Sequence, residues 1–169
     1  MLVRKLTIDD LDALWMLRLQ ALTDNPEAFG STYAETLARG KEVFRERLAQ
    51  GDNVFFLGAF DETLIGIVGF FREEGLKNRH KGYVVSMFVL PEKRGYGVGK
   101  ALMQELIVQA RQISGLEQLY LAVVTTNRAA ILLYQSLGFM VYGTEPRALK
   151  AGEQYWDEDL MVLYLRQSP

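Results

Sequence analysis

Two kinds of hydrophobic spacing alternate along this chain of 169 residues. Apolar side chains recur every three or four residues after position 10 and again after position 100, which is the period of an amphipathic helix. Shorter continuous apolar runs of strand length lie between the helical segments. The predicted strands are 2–6, 53–60, 64–72, 81–90, 119–124, 139–142 and 155–165, and the predicted helices are 8–23, 41–50, 101–113 and 128–137, with a weaker helical segment at 30–40.

The order of these elements predicts the fold class. Strands alternate with helices in the middle of the chain and pair as hairpins toward its ends, as at 53–72, where the short polar segment 61–63 joins two apolar runs. This order predicts an α/β (α+β) fold with a mixed central β-sheet and helices on both faces. No repeat, linker or low-complexity tract divides the sequence, so 1–169 is predicted to be one domain.

Three glycines at alternate positions, Gly95, Gly97 and Gly99, lie where the fourth predicted strand leads into a helix. The first amides of a helix have no intrahelical acceptor, and the helix dipole adds partial positive charge there. Arg94 and Lys100 add two full charges, and glycine has no Cβ to keep a ligand from the backbone. The loop is therefore predicted to bind a phosphate group. The alternative is a glycine-rich turn that binds no ligand.

The glycine spacing does not fit either of the two common phosphate-binding motifs. The dinucleotide fingerprint places its third glycine one residue later than Gly99. The P-loop has four residues between its glycines and a Ser or Thr after the Lys, whereas here three residues separate Gly95 from Gly99 and Ala101 follows Lys100. A nucleotide-binding switch is therefore disfavoured.

A second pattern, N-x-x-A-x-x-x-Y-x-x-x-G-F, begins at Asn127 and ends at Phe139. The side-chain amide of Asn127 both donates and accepts hydrogen bonds, which suits a ligand that carries amides. Tyr134 follows nearly two helical turns later, so the two side chains face roughly the same side. An Asn at a helix start is usually an N-cap, and a helical Tyr beside leucines is usually a core residue, so both alternatives stay open.

Both patterns resemble motifs of the GNAT N-acetyltransferases. The R-x-x-G-x-G of Arg94 to Gly99 is similar to the family's loop for the pyrophosphate of acetyl-coenzyme A (acetyl-CoA), and the resemblance covers about 64–139. It implies that strands 81–90 and 119–124 are parallel and splayed, with the coenzyme between them. The coenzyme-binding residues that the resemblance implies are Met87, Phe88, Val89, Arg94, Gly95, Tyr96, Gly97, Val98, Gly99, Lys100, Asn127 and Tyr134.

The resemblance implies an acetyl-CoA-dependent N-acetyltransferase in which a primary amine attacks the thioester directly and Tyr134 is the general acid. The alternative is a non-catalytic acyl-CoA-binding or regulatory module on the same scaffold. Strand 81–89 has no carboxylate, and its hydroxyls, Tyr83 and Ser86, are not basic at neutral pH. We therefore expect no single side chain to be an essential base: either the amine arrives neutral or a water chain anchored by Ser86 and a loop carboxylate removes the proton.

The acceptor, a small-molecule or peptide amine, is not identified by these motifs. Candidate substrate-binding residues are Phe29, Tyr33, Ser86 and Tyr155. Carboxylates near the pocket edges would suit a cationic amine, although most such charges belong to solvated surfaces. These carboxylates are Glu35, Glu73, Glu74, Glu153, Asp157 and Glu158.

Composition narrows the remaining function classes. The net charge is −2, which gives no electrostatic case for binding nucleic acid. The sequence contains no Cys and one His, so we expect no covalent acetyl-cysteine, no thiolate or multi-histidine metal site and no metal cofactor. No apolar run reaches the length of a membrane span and the first residues do not form a signal peptide, so the expected location is cytoplasmic, away from membranes. A homodimer is possible.

Overall fold

The computed structural model describes residues 1–165 and shows one seven-stranded sheet in the order β1-β2-β3-β4-β5-β7-β6. The strands are β1 Leu2–Lys5, β2 Val54–Asp61, β3 Thr63–Arg72, β4 Lys81–Val89, β5 Gln118–Val124, β6 Met140–Ala151 and β7 Gln154–Tyr164. The helices are α1 Leu11–Asp24, α2 Tyr33–Arg39, α3 Glu42–Leu48, α4 Val98–Gln112 and α5 Arg128–Ser136. One strand pair, β4 with β5, is parallel and the others are antiparallel, which confirms the predicted mixed sheet.

Hydrophobic cores cover both faces of the sheet because neighbouring residues of a strand point to opposite sides. Phe55 and Leu57 of β2 belong to the core beneath α4 and α5. Phe56, between them, belongs to a second core with α1 and α3. The fully apolar pattern of β2 and β3 thus reflects strands that are covered on both faces, as the sequence predicted.

The parallel pair separates soon after it starts. β4 pairs with β5 only from Lys81 to Tyr83, and from Val84 onward the two strands have no register with one another. A register shift against β3 adds an extra residue to β4 at this point, and Ser86 has a left-handed φ of 56°. Bulges increase the local bend of a strand, so this one widens the gap between β4 and β5. The expected splay of the two parallel strands is present.

Of the element boundaries that differ from the prediction, the start of α4 and the end of β6 change the picture most. Helix α4 begins at Val98, three residues earlier than predicted, because Gly97 takes φ 81° at the N-cap and the loop turns directly into the helix. The predicted strand 139–142 was wrong in length, since β6 continues to Ala151. Most of β6 is exposed, Pro146 interrupts it, and its register shifts between Glu145 and Leu149, so beyond Tyr142 it has no regular alternation of apolar and polar residues.

Within residues 1–165, no helix combines the length and the apolar character that crossing a bilayer requires.

Candidate active site

The loop before α4 presents a run of unpaired backbone donors. Gly95 and Gly97 have φ values of 83° and 81°, which favour glycine, and a Cβ built on either would meet nothing within 4 Å. The first amide of this stretch with a backbone acceptor is Ala101, which donates to the Gly97 carbonyl at 3.0 Å. Across residues 1–165, no backbone acceptor reaches the amides of 95–100. The loop therefore offers an open, positively polarised surface at a helix N-terminus, which suits an anion.

Arg94 is held at the rim of this loop by two hydrogen bonds. Its Nε donates to the Val89 carbonyl at 3.0 Å, and one terminal nitrogen donates to Asn25 Oδ1 at 2.7 Å. Its guanidinium carbon lies 5.6 Å from the centre of the Phe88 ring. Since a guanidinium has five N–H donors, Arg94 keeps donors for a ligand while its position is fixed.

Gly99 has a different role from its two neighbours in the motif. A Cβ at Gly99 would lie 3.0 Å from Met87 Cε and 3.3 Å from Leu133 Cδ2. The missing side chain therefore allows α4 to pack closely on β4 and α5. The sequence pattern could not separate this packing glycine from the two loop glycines.

A cleft opens between β4 and β5, and two contiguous cavities fill it. We call the cavity of about 540 Å³ next to the glycine loop the loop cavity, and the cavity of about 650 Å³ between the splayed strands the sheet cavity. Among the residues predicted from sequence, the loop cavity is lined by Phe29, Met87, Phe88, Val89, Arg94, Gly95, Gly97, Val98, Gly99, Lys100, Asn127 and Tyr134. Residues that line both cavities are Ala28, Phe29, Met87, Val124, Asn127, Ala130 and Tyr134.

Tyr134 lies at the junction of the two cavities. It belongs to α5, its side chain is 6% exposed, and burial raises the pKa of its hydroxyl to about 12. Within residues 1–165, no side chain or backbone group hydrogen-bonds this hydroxyl. Arg18 has the one fully enclosed side-chain atom without a partner in this part of the chain, so the Tyr134 hydroxyl keeps accessible surface. The hydroxyl therefore borders the cleft, where it is protonated at neutral pH and available as a donor.

Asn127 combines both roles that its sequence position suggested. Its Oδ1 accepts a hydrogen bond from the Ala130 amide at 3.2 Å, which makes it the N-cap of α5. It also lines both cavities. The cap uses the carbonyl oxygen of the side chain, so its NH₂ group can still donate to a ligand.

Charged side chains of the sheet cavity come from distant segments. Arg18 of α1 and Arg47 of α3 line it on one side, and Glu158 of β7 is its one carboxylate among the described residues. Burial, followed by the charge of Arg47, lowers the pKa of Arg18 to about 10. Burial, followed by the charge of Glu145, raises the pKa of Glu158.

Sequence analysis named Glu158 but missed both arginines. Arg18 and Arg47 occupy positions on the apolar stripes of α1 and α3. A guanidinium where the helical period demands a hydrophobic side chain is an anomaly, and that anomaly was the signal that could have found them.

Several predicted residues lie outside the cleft. Tyr33 faces a shallow depression beside α1 and β3, and Tyr96 is 80% exposed next to the glycine loop. Tyr155 lies on β7, where its ring contacts Arg147 and Lys150 at 4.8 and 5.2 Å. Phe29 and Ser86 do line the sheet cavity.

The other candidate carboxylates are also placed elsewhere. Glu35 caps α2 by accepting hydrogen bonds from Thr32, and Asp157 accepts one from the Arg147 amide at 2.8 Å. Glu73 and Glu74 line a separate small depression with Arg72 and Arg79. Glu153 lies in the exposed turn between β6 and β7. Of the six carboxylates, the geometry leaves Glu158 as the one in the cleft.

Comparisons with known proteins agree with this geometry. Residues 18–139 match the model of the acetyltransferase (GNAT) family. An N-alpha-acetyltransferase from Sulfurisphaera tokodaii is 30% identical over 144 residues, which cover 81% of this chain and 78% of that protein. A ribosomal-protein-alanine N-acetyltransferase from Brucella melitensis superposes with a TM-score of 0.83 at 26% identity, covering 97% of this chain and 99% of that one.

A structure solved with acetyl-CoA has the same fold. It is a phosphinothricin acetyltransferase of the GNAT superfamily from Sinorhizobium meliloti, with a TM-score of 0.79 at 21% identity, and the superposition covers 96% of this chain and 87% of that one. The family match spans both sequence motifs, the splayed strands and most of the cleft. This chain therefore belongs to the acetyltransferase (GNAT) family.

Proposed function

We propose that this chain transfers the acetyl group of acetyl-CoA to a primary amine, which attacks the thioester directly. One observation carries the proposal: the free amides of 95–100 and the hydroxyl of Tyr134 open onto the same continuous cleft. The first is an anion site and the second a proton donor. Acetyl-CoA carries its phosphates and its thioester at opposite ends of one arm. It therefore needs an anion site at one end of a groove and a proton donor at the other.

The residues of the loop cavity fit acetyl-CoA. Its pyrophosphate suits the amides of 95–100, with Arg94 and Lys100 supplying the charge. The edge of β4 from Val84 onward has no partner strand on the β5 side, so its backbone groups are free to pair with the amides of the pantetheine arm, as in strand augmentation. Met87, Phe88, Val89 and Asn127 line this part of the cavity.

Tyr134 supplies the proton to the departing thiolate. Acetyl-CoA brings the activated thioester; the protein contributes position and proton transfer. With its pKa near 12, Tyr134 stays protonated through the physiological range, and the hydroxyl borders both cavities. A positioned general acid contributes typically 10²–10⁴-fold to the rate.

Glu158 receives the proton of the incoming amine. This replaces the expectation that no single side chain acts as the base, because that expectation considered β4 and the loop before it and not β7. A carboxylate with a raised pKa is a better proton acceptor near neutral pH than an ordinary one. Glu158 and Tyr134 line the same cavity, so one takes a proton from the nucleophile while the other gives one to the leaving group.

A screen with acetyl-CoA tests the proposal. The purified protein is incubated with a panel of amines (amino acids, polyamines, aminoglycosides and peptides with a free N-terminus), and free thiol and product mass are measured. We expect stoichiometric thiol and acetylated amine with at least one class. Binding of acetyl-CoA by calorimetry without thiol release from any amine would instead support the non-catalytic module.

A further inference from the structure

Arg18 is a buried cation without a counter-charge. Its side chain is 7% exposed, and its guanidinium carbon lies 4.6 Å from the centre of the Phe29 ring. One terminal nitrogen is fully enclosed and has no hydrogen-bond partner, the one such side-chain atom within residues 1–165. An enclosed donor without an acceptor is costly, and more so when it is charged.

Arg47 brings a second cation to the same wall of the sheet cavity. Its guanidinium carbon lies 5.5 Å from the centre of the Phe44 ring. Neither arginine takes part in the ion pairs found within residues 1–165. The positive charge of Arg47 contributes to the lowered pKa of Arg18, so the two groups repel one another across a region that burial has already desolvated.

Packing alone does not explain an arginine at position 18. A Met or Leu side chain would fill the space on the apolar stripe of α1 and contact Phe29 without burying a charge. Arg18 lines the sheet cavity, and its other guanidinium nitrogens are not among the enclosed atoms of residues 1–165, so a ligand in the cavity can reach the guanidinium through them and not through the enclosed nitrogen. An anion bound in the cavity would supply the counter-charge that residues 1–165 do not give this guanidinium.

Glu158 does not supply that anion. Within residues 1–165, no ion pair joins Glu158 to Arg18 or Arg47, and the pKa of Glu158 is raised by burial and by Glu145. The two charges of the cavity are therefore apart, with cations on the α1 and α3 side and a carboxylate on the β7 side. Such a cavity complements a small molecule that carries both charges.

We propose that the amine acceptor is a small amino carboxylate, whose carboxylate binds Arg18 and Arg47 while its amine lies toward Glu158 and Tyr134. This inference rests on the proposed function and adds the substrate class to it. The planar fork of a guanidinium matches a carboxylate with two parallel hydrogen bonds. The cavity of about 650 Å³ holds a small molecule of this kind.

The proposal differs from what the names of the N-alpha-acetyltransferase and the ribosomal-protein-alanine N-acetyltransferase suggest. A protein N-terminus carries its amine next to a neutral amide, and a polyamine carries further cations. Neither supplies an anion to the buried guanidinium. If either class proved to be the preferred acceptor, Arg18 would be a structural residue and the proposal would be overturned.

The experiment compares amino acids with their C-terminal amides as acceptors. The kcat/KM from thiol release is expressed per neutral amine, because the amide lowers the basicity of the amino group. The wild-type protein is expected to favour the carboxylate by about 10–100-fold, the range that a charged hydrogen bond supplies. Arg18→Met is expected to abolish that preference while kcat/KM for the amide changes less than about threefold.

Controls separate recognition from folding. Arg18→Lys keeps the charge but not the fork and should recover part of the preference, and Arg111→Met, at an exposed position of α4 outside the cavity, should leave it intact. In the presence of CoA, an amino carboxylate should raise the Tm of the wild-type protein and not that of Arg18→Met. If Arg18→Met does not fold, Arg47→Met is measured in its place and is expected to reduce the same preference.

The measurements distinguish failure of the proposed function from failure of the proposed acceptor class. If the wild-type protein releases no thiol with any amine, the proposed function fails. If it acetylates amines but treats each amino acid and its amide alike, or if Arg18→Met and Arg47→Met keep the wild-type preference, the function stands and the acceptor class proposed here is overturned.

Discussion

The loop cavity and the sheet cavity are built by different means for the ligands proposed to bind them. The loop cavity uses the backbone: amides of consecutive residues, freed by two glycines in left-handed conformations, with one fixed arginine at the rim. The sheet cavity uses side chains from α1, α3, β4, α5 and β7, whose residues lie as far apart in sequence as Arg18 and Glu158. A backbone site is a property of one segment, whereas a side-chain site is a property of the fold. In this protein the first lies in a segment that matches the family, and we propose that the second selects the acceptor.

The largest expected effect is at the junction of the two cavities. Tyr134→Phe should lower kcat by about 10²–10⁴-fold with little change in the KM for acetyl-CoA, because the phenol acts on the leaving group and not on binding. Since the hydroxyl has a pKa of about 12, kcat of the wild-type protein should show no falling limb below about pH 10.

The control for Tyr134 is its neighbour Leu132, which is 58% exposed on the same helix. Leu132→Ala should leave kcat unchanged. Undiminished kcat in Tyr134→Phe, or a loss that follows its Tm alone, would make Tyr134 a packing residue against Phe139, whose ring centre is 6.0 Å away.

A second large effect is expected at Glu158, on the sheet-cavity side. Glu158→Gln should lower kcat by about 10²-fold or more with a strongly basic amine, because the positioned proton acceptor is lost. The defect should shrink with weakly basic amines, which arrive already neutral. The matched variant is Glu145→Gln, next to Glu158 across the β6–β7 pair but not lining the cavity. If Glu158→Gln loses less than about tenfold with every amine, the earlier expectation of no essential base is restored.

The loop cavity is tested separately with Gly97. Gly97→Glu should weaken acetyl-CoA binding by about 10–100-fold in calorimetry, because one like charge near a phosphate costs about 1–4 kcal/mol, depending on the local dielectric. The strained φ contributes a stability loss of about 1–2 kcal/mol, which Gly97→Gln shares without the charge. The acceptor preference should not change in either variant, since Gly97 does not line the sheet cavity.

Gly99→Ala is the contrasting change within the same motif. Its Cβ would meet the side chains of Met87 and Leu133, on which α4 packs, whereas a Cβ at Gly97 would meet nothing within 4 Å. Its main defect should therefore be a lower Tm, with near-normal affinity in the folded fraction. Equal losses of coenzyme affinity in Gly97→Glu and Gly99→Ala would contradict this division between a loop glycine and a packing glycine.

The sequence predicted what depends on local periodicity and on motif spacing. The sheet, the helices on its two faces and the glycine loop follow from apolar runs such as β2 and from the alternation of Gly95 and Gly97. It predicted only the start of β6, because the rest of this exposed strand contains Pro146 and has no regular hydrophobic pattern. The sequence also could not predict that Arg18, Arg47 and Glu158 line one cavity. They come from α1, α3 and β7, and the sequence around each residue does not specify which elements will pack beside it.

The bulge at Ser86 is another feature of the site that the local sequence did not predict. A serine with a φ of 56° is unfavourable for a residue with a Cβ, and only the pairing of β4 with β3 holds it there. No residue type in the segment 84–88 marks a bulge, although the width of the sheet cavity depends on it. Ser86→Gly is expected to leave the protein as stable or slightly more stable, measured by Tm, while Ser86→Val should destabilise it.

The smallest expected effect is on the pH dependence of stability, to which Glu158 and Glu35 should contribute with opposite signs. The pKa of Glu158 is raised, so the folded state holds its proton more tightly than the unfolded state does. Its contribution to stability is therefore fully present below the unfolded pKa and is lost as pH rises through the folded one. The pKa of Glu35 is lowered by its hydrogen bonds to Thr32, so its contribution is present above the unfolded pKa and is lost as pH falls. Glu158→Gln should thus gain Tm relative to the wild-type protein as pH rises from about 4 to about 7, and Glu35→Gln should lose it over the same range. For the partly exposed Glu158 the effect should stay below about 1 kcal/mol.

An anionic ligand bound at Arg18 and Arg47 should leave the sign of the pH effect at Glu35 unchanged, because the cap that Glu35 forms at the start of α2 lies outside the cleft. If Glu158→Gln instead lost Tm toward neutral pH, the carboxylate would have a cationic partner in the folded protein, and the separation of charges across the sheet cavity would be wrong.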